Sequence, residues 1–242
     1  MSESVLSPAS LEAVSFDFTG TLARPHRIGT LYSEALARHG ISIPPGTLER
    51  LFPEVWRELD CRVHLGEDRF RSHPEGPEGF WGELLERILL RAGVDEEPSA
   101  FLVRELFDRF RQADAWRVFP DVSPALETLR DLGLRLAVLS NFDPRLEEIL
   151  RALDLRRFFA EVVTSYEVGA EKPHPGPFRE LQSRIGLPGR RILHVGNERR
   201  RDVEGARAAG WRALWLRRDD PGADLRSLRT LPEAIREPGR FW

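Results

Sequence analysis

Apolar spacing divides the chain into two textures. From Leu11 to Asp17 a short apolar run ends on an acid and a Thr-Gly-Thr turn, which predicts a strand. Similar runs predict strands at Leu134–Leu139, Glu161–Val163, Ile192–Val195 and Ala213–Leu216. Between them, apolar residues recur at three- and four-residue steps: Leu126, Leu129 and Leu132; Leu146, Ile149, Leu150 and Leu153; Phe178, Leu181 and Ile185; Val203, Ala206 and Ala209. Those steps put apolar side chains on one helical face. Strands alternating with helices predict an α/β fold, a doubly wound Rossmann-like parallel sheet covered on both faces. Sites in such sheets lie at the carboxyl ends of the strands.

Residues 25–115 break the alternation. They carry only helical periodicity, in four segments centred on Leu31–Leu36, Leu48–Leu59, Phe80–Leu89 and Phe101–Phe110. This predicts a helical-bundle cap inserted into an α/β core made of 11–24 and 116–220. Cys61 to Gly79, rich in Gly, Pro, Arg and His, is its most irregular stretch. Segments 1–10 and 221–242 read as termini. Asp-Asp-Pro-Gly after Arg217 predicts a loosely ordered tail with one short helix near Asp224–Arg236.

Composition narrows the class. With 41% hydrophobic and 31% charged residues among 242, the chain can bury a sizeable core and is not largely disordered. A net charge of -3 gives no broad attraction to nucleic acid or anionic lipid, so any anion must be met by a local site. One cysteine builds no disulfide framework. The opening residues lack a basic segment followed by an apolar one, and no run approaches the roughly 20 apolar residues that span a bilayer. A cytoplasmic protein without membrane or nucleic-acid partners is expected. One count stands out: of 36 cationic residues only Lys172 is lysine. Where arginine has displaced lysine everywhere else, the survivor marks a position that a guanidinium does not suit.

Four polar clusters fall just after strands: Asp17-Phe-Thr-Gly-Thr21, Ser140-Asn141, Lys172-Pro173 and Gly196-Asn-Glu-Arg-Arg-Arg-Asp202. An aspartate at a strand terminus, beside a turn offering N–H groups, can attack an electrophile while those donors hold its oxygens. A hydroxyl at Ser140 and an ammonium at Lys172 can bind a tetrahedral anion and offset its charge in the transition state. Asp202 can hold a cation or orient the lysine.

The order and spacing of these clusters closely resemble the four motifs of the haloacid dehalogenase superfamily over about Glu12 to Leu216. LRLAVLSN at 134–141, Glu171-Lys-Pro-His-Pro175 and Asp202-Val-Glu-Gly-Ala206 are what members show at those points. The resemblance implies that Asp17 is the nucleophile and that Thr21, Ser140 and Lys172 act beside it. It implies phosphate contacts from Thr19, Gly20 and Asn141. It further implies a weakened Mg2+ site at Asp17, the Thr19 carbonyl, Asn197 and Asp202. The implied partner is a small phosphorylated substrate, hydrolysed through a phosphoaspartate.

Two positions depart from the phosphatase pattern. Thr19 stands where those enzymes carry an aspartate that protonates the leaving group and activates water, a service worth roughly two to four orders of magnitude. Family members with threonine there, the P-type ion pumps, keep their phosphoaspartate long-lived. Asn197 replaces a metal-binding acid, which removes a negative charge from the site; Glu198 is adjacent. The metal-independent 2-haloacid dehalogenases also change both positions, making dehalogenation the rival, although the step from Asn197 to Asp202 has the phosphatase length. In the first cap segment no arginine clearly matches their halide-receiving one, with Arg24, Arg27 and Arg38 nearby. The third reading is an anion-binding or regulatory protein with little turnover.

Other candidates have plain explanations. His194, within an apolar strand, reads as a satisfied core histidine. His26, His64, His73 and Arg71 read as scattered exposed polar residues, and Arg199 to Arg201 as a solvated face. Trp56, Trp81 and Phe110 read as cap core, and Cys61 has no partner.

Overall fold

The computed structural model describes residues 11–61 and 66–236; His64 and the extreme termini lie outside the described residues. The core is a five-stranded, all-parallel sheet in the order β5-β4-β1-β6-β7. Its strands are β1 (Ala13–Phe16), β4 (Arg135–Ser140), β5 (Glu161–Thr164), β6 (Ile192–Gly196) and β7 (Arg212–Trp215). Each of the five expected strands is present to within two residues. Alternation explains the two covered faces. Val14, Phe16, Leu136, Val138, Leu193 and Val195 enter one apolar cluster, which includes residues of α5 (Val122–Asp131), α6 (Leu146–Ala152) and α10 (Leu231–Arg236). Ala13, Ala137, Leu139 and Ile192 enter another, with α8 (Pro175–Ile185) and α9 (Gly205–Ala208). Ser15 and His194 are register partners on β1 and β6, and their side chains pair at 3.1 Å within the buried sheet.

Four helices lie between β1 and β4 in sequence: α1 (Ile28–Arg38), α2 (Pro45–Asp60), α3 (Gly76–Arg91) and α4 (Ala100–Arg109). Their apolar faces form a cluster of their own, with Leu48, Val55, Leu84 and Ile88 buried. Sequence punctuation sets their ends. Pro45 opens α2 at a position where no intrahelical donor is needed, and Ser99 caps α4 by accepting from the Leu102 amide at 3.2 Å. A two-stranded antiparallel ribbon, β2 (Ala23–Pro25) with β3 (Trp116–Val118), carries the chain into and out of this layer. The periodicity did not reveal it, because three residues are too short to show a period of two.

Two further differences are corrections. The helix expected around Val203 begins as a π-helical turn, Arg199–Glu204, before α9. The tail is not loose over its described part: Leu225, Leu228 and Leu231 are buried in the core cluster. Buried Asp121 holds it by accepting from Arg218, Ser227 Oγ and the Leu228 amide at 2.6, 2.7 and 2.8 Å. Among the described residues, no helix is long and apolar enough to cross a membrane.

Candidate active site

Asp17 follows β1 at the carboxyl edge of the sheet, its amide donating to Val195 O at 3.0 Å. Ser140 ends β4 beside it and donates from Oγ to Asp17 Oδ1 at 2.9 Å. Lys172 is buried, and its ammonium donates to Asp17 Oδ1 at 3.0 Å, Leu139 O at 2.7 Å and Asp202 Oδ1 at 2.6 Å. All three ammonium protons are thereby used. Oδ1 of Asp17 is held twice, which leaves Oδ2 free of both donors. The lone lysine thus stands in a fully enclosed position where a planar guanidinium has neither the room nor the donor geometry.

Asp202 is carried by the π-helical turn. Its Oδ2 accepts from the Glu198 amide at 2.8 Å, and His194 Nε2 lies 3.4 Å from Oδ1. A Cβ on Gly196 would sit 2.2 Å from that carboxyl group, so only glycine lets it pack against β6. Burial pushes the Asp17 carboxyl up to about 6 despite Lys172. Burial acts in the same direction on Asp202, but Lys172 and His194 hold it well below the usual carboxylate range. Burial would lower the ammonium of Lys172; Asp17 and Asp202 hold it above its ordinary value. Burial lowers His194, keeping it a neutral core histidine as expected.

Asn197 approaches the nucleophile from β6. In one amide orientation its Oδ1 accepts from Thr21 Oγ1 at 3.2 Å; in the other its nitrogen donates to Thr19 O at 2.9 Å and to Asp17 Oδ2 at 3.2 Å. Gly20, at φ +87°, permits this approach, since a Cβ there would lie 2.5 Å from the amide. The contacts bear on magnesium. Either amide atom of Asn197 can face Asp17 Oδ2 and the Thr19 carbonyl, and the oxygen would suit a cation there; both Asp202 oxygens are engaged by Lys172 and Glu198. Among the described residues no cluster of three or more acids, histidines or cysteines is disposed to hold a metal. With Asn197 Oδ1 turned inward, Asp17 Oδ2, the Thr19 carbonyl and Asn197 Oδ1 would form an oxygen set of the kind Mg2+ takes, with one carboxylate fewer than an aspartate at 197 would give.

Asn141 was expected at the phosphate. It lines the cavity, and its side chain also braces the lysine, accepting from the Lys172 amide at 2.7 Å and donating to Lys172 O at 3.0 Å. Thr19 lines the cavity, and Thr21 is buried against Asn197.

The helical layer closes over these residues through contacts the sequence reading missed. Arg69 pairs with Glu171, Nε to Oε1 at 2.6 Å and Nη2 to Oε2 at 2.7 Å, and with Asp60 at 2.7 Å. Arg201 joins Asp60 at 2.7 Å. On the opposite wall, Trp81 Nε1 donates to Asp143 Oδ2 at 2.9 Å, and Arg145 donates to Asp143 Oδ1 and to Phe107 O at 2.9 and 2.7 Å. Nothing in the periodicity marks these pairings, because all but Arg145–Asp143 and Arg69–Asp60 join residues far apart in the chain; the one local hint is Glu171 next to Lys172. Between layer and sheet lies a cavity of about 470 Å³. Trp56, Trp81 and Phe110, read as cap core, line it. Arg71 reaches Glu167 O at 3.2 Å.

Comparisons agree with this geometry. A family model described as haloacid dehalogenase-like hydrolase matches residues 11–210. Haloacid dehalogenase-like hydrolase domain-containing protein 3 of Xenopus laevis is 30% identical over 214 residues, 88% of this chain and 86% of the relative. Glyceraldehyde 3-phosphate phosphatase of Methanopyrus kandleri is 32% identical over 197 residues, covering 76% and 80%. Among solved structures, a 2-haloacid dehalogenase from Pseudomonas syringae superposes with a TM-score of 0.66 at 27% identity, covering 94% and 99%. With an aspartate, serine, lysine and second aspartate gathered at adjoining strand ends and the match running through nearly the whole α/β core, the chain belongs to the haloacid dehalogenase-like hydrolase family.

Proposed function

We propose that this hydrolase is a phosphatase acting on a small phosphomonoester through Asp17. The observation that carries the reading is the double hold on Asp17 Oδ1 by Ser140 and Lys172, which orients Oδ2 and places a fixed positive charge beside the reacting centre. Attack of Oδ2 on phosphorus breaks the ester P–O bond, and water then attacks the phosphoaspartate, releasing phosphate and restoring the carboxylate. Lys172 offsets charge on the transferring group, and the Asn197 amide steadies the nucleophile. Thr19 supplies no carboxylic acid, so both steps lack proton-transfer help and turnover is slow. A relative named as a phosphatase supports the reaction class. The test is phosphate release from acetyl phosphate and from phosphate esters, with Asp17→Asn as the control; an unchanged rate in that variant overturns the reading.

A second reading, hydrolytic dehalogenation, is favoured by one contact: an amide rather than a carboxylate on Asp17 Oδ2. Halide release from 2-chloropropionate in the presence of a chelator, with no phosphate release from esters, would replace the first reading by the second.

A further inference from the structure

We infer that the preferred substrate is an aryl phosphate, an ester whose leaving group is a phenol-like oxygen on a flat apolar ring carrying no second charge. This rests on the phosphatase reading of the same site and narrows it. Two independent features lead here.

The first is the shape and chemistry of the cavity above Asp17. Its walls include Phe52, Trp56, Trp81, Phe110, Trp116 and Phe142. Trp56 and Trp81 are stacked on each other at 5.5 Å with 24° between planes, and Phe70 stacks on Trp81 at 6.1 Å, so together they make one continuous aromatic wall. Such surfaces favour a ring by offset or edge contacts and offer little to hydroxyl-rich chains. The arginines on the walls are spent: Arg145 on Asp143, Arg69 on Glu171 and Asp60, Arg201 on Asp60 and Glu198. Arg24 is exposed and lies 6.0 Å from the Phe119 ring. A carboxylate or second phosphate on the substrate therefore meets no unpaired buried cation. One polar atom is open: Arg69 Nη1 is buried without an acceptor. As the charge of Arg69 is already balanced, a neutral oxygen on the ring suits it.

The second feature is that, among the described residues lining the cavity, no histidine and no unpaired carboxylic acid stands ready to protonate the leaving oxygen. Glu49 accepts from the Gly29 amide, and Glu198 is paired with Arg201. Thr19 stands nearest the reaction and cannot serve as an acid near neutral pH. An alkyl ester must then expel an alkoxide, whose conjugate acid ionises near the 15.7 of water. An aryl ester expels a phenoxide, whose conjugate acid ionises near 10, as tyrosine does. In the step, the bond from Asp17 Oδ2 to phosphorus forms, the P–O(aryl) bond breaks, and its electron pair leaves on the aryl oxygen, which takes a proton from solvent. Water then attacks phosphorus, yielding inorganic phosphate and Asp17.

The experiment compares the full chain on four substrates: acetyl phosphate, phenyl phosphate, cyclohexyl phosphate and phosphoglycolate. Acetyl phosphate needs neither a ring pocket nor an acid, so its Asp17-dependent turnover reports the phosphatase reading alone. Phenyl phosphate should exceed cyclohexyl phosphate, of the same bulk, by about 100-fold or more in kcat/KM, the scale of absent acid catalysis. It should exceed phosphoglycolate comparably. Phe52→Ala should raise KM for phenyl phosphate roughly tenfold, the loss expected from one ring contact, with kcat little changed. Equal rates on phenyl and cyclohexyl phosphate, or a preference for phosphoglycolate, overturn the inference while acetyl phosphate turnover leaves the phosphatase reading standing. Absence of any Asp17-dependent phosphate release overturns both.

Discussion

Lys172 Nζ lies 2.6 Å from Asp202 Oδ1, and each of the two side chains is only 2% exposed. Neither ion has access to bulk water, so each depends on the other for the solvation it gave up on folding. Asp202→Ala leaves the buried ammonium with Asp17 as its remaining carboxylate, and breaking a buried pair costs about 3–5 kcal/mol. Urea unfolding at neutral pH should show a loss of that size, together with loss of turnover. A loss under about 1 kcal/mol would show that water reaches the pair.

Lys172→Arg keeps the charge but not the shape. The ammonium meets three acceptors converging on one nitrogen, from Asp17, Leu139 and Asp202. A guanidinium spreads its donors over a plane and cannot converge them. The variant should fold less stably and lose at least about 100-fold in kcat, of the order seen when one stabilising donor is removed. A near-wild-type rate would show that charge alone suffices.

The pH profile follows from Asp17, which must be ionised to attack. Burial raises its carboxyl to about 6, so the reactive form is depleted below that value. Between pH 8 and about 6.5 kcat/KM should be flat. Below about 6 it should fall, approaching tenfold per pH unit. A profile flat down to pH 4.5 would place the nucleophile elsewhere.

Asn197→Asp would set a carboxylate 3.2 Å from Asp17 Oδ2, where the amide now stands. Like charges at that distance repel unless a cation joins them. The variant should melt below wild type in chelator and regain stability as magnesium is added, whereas wild type should respond little. Adding Thr19→Asp should then raise turnover. Equal magnesium shifts in both proteins would show that the wild-type amide turns its oxygen to the ion.

How much of this was legible in the chain varies by element. Three strands, β1, β4 and β6, stood out because each is a short apolar run closed by Gly, Ser or Asp, and burial on both faces forces that pattern. The quartet Asp17, Ser140, Lys172 and Asp202 was legible because each lies at a strand end or in the segment that follows a strand, and its residue types have few reasons to occur there together. The β2–β3 ribbon was not legible, being too short, nor was the packing of the tail on Asp121, which needs Arg218, Ser227 and Leu228 to converge on one carboxylate.

Local sequence determined the α/β alternation, the four inserted helices and the identity of Asp17, Ser140, Lys172 and Asp202, because side-chain periodicity and strand-end chemistry are properties of neighbouring residues. Tertiary structure alone decided three things: that Asn141 braces the lysine, that the Asn197 amide fills the space beside Asp17 Oδ2, and that Trp56 and Trp81 wall a cavity. Each depends on an orientation or a distance between residues remote in the chain. Orientation of that kind is set by packing, which periodicity does not encode.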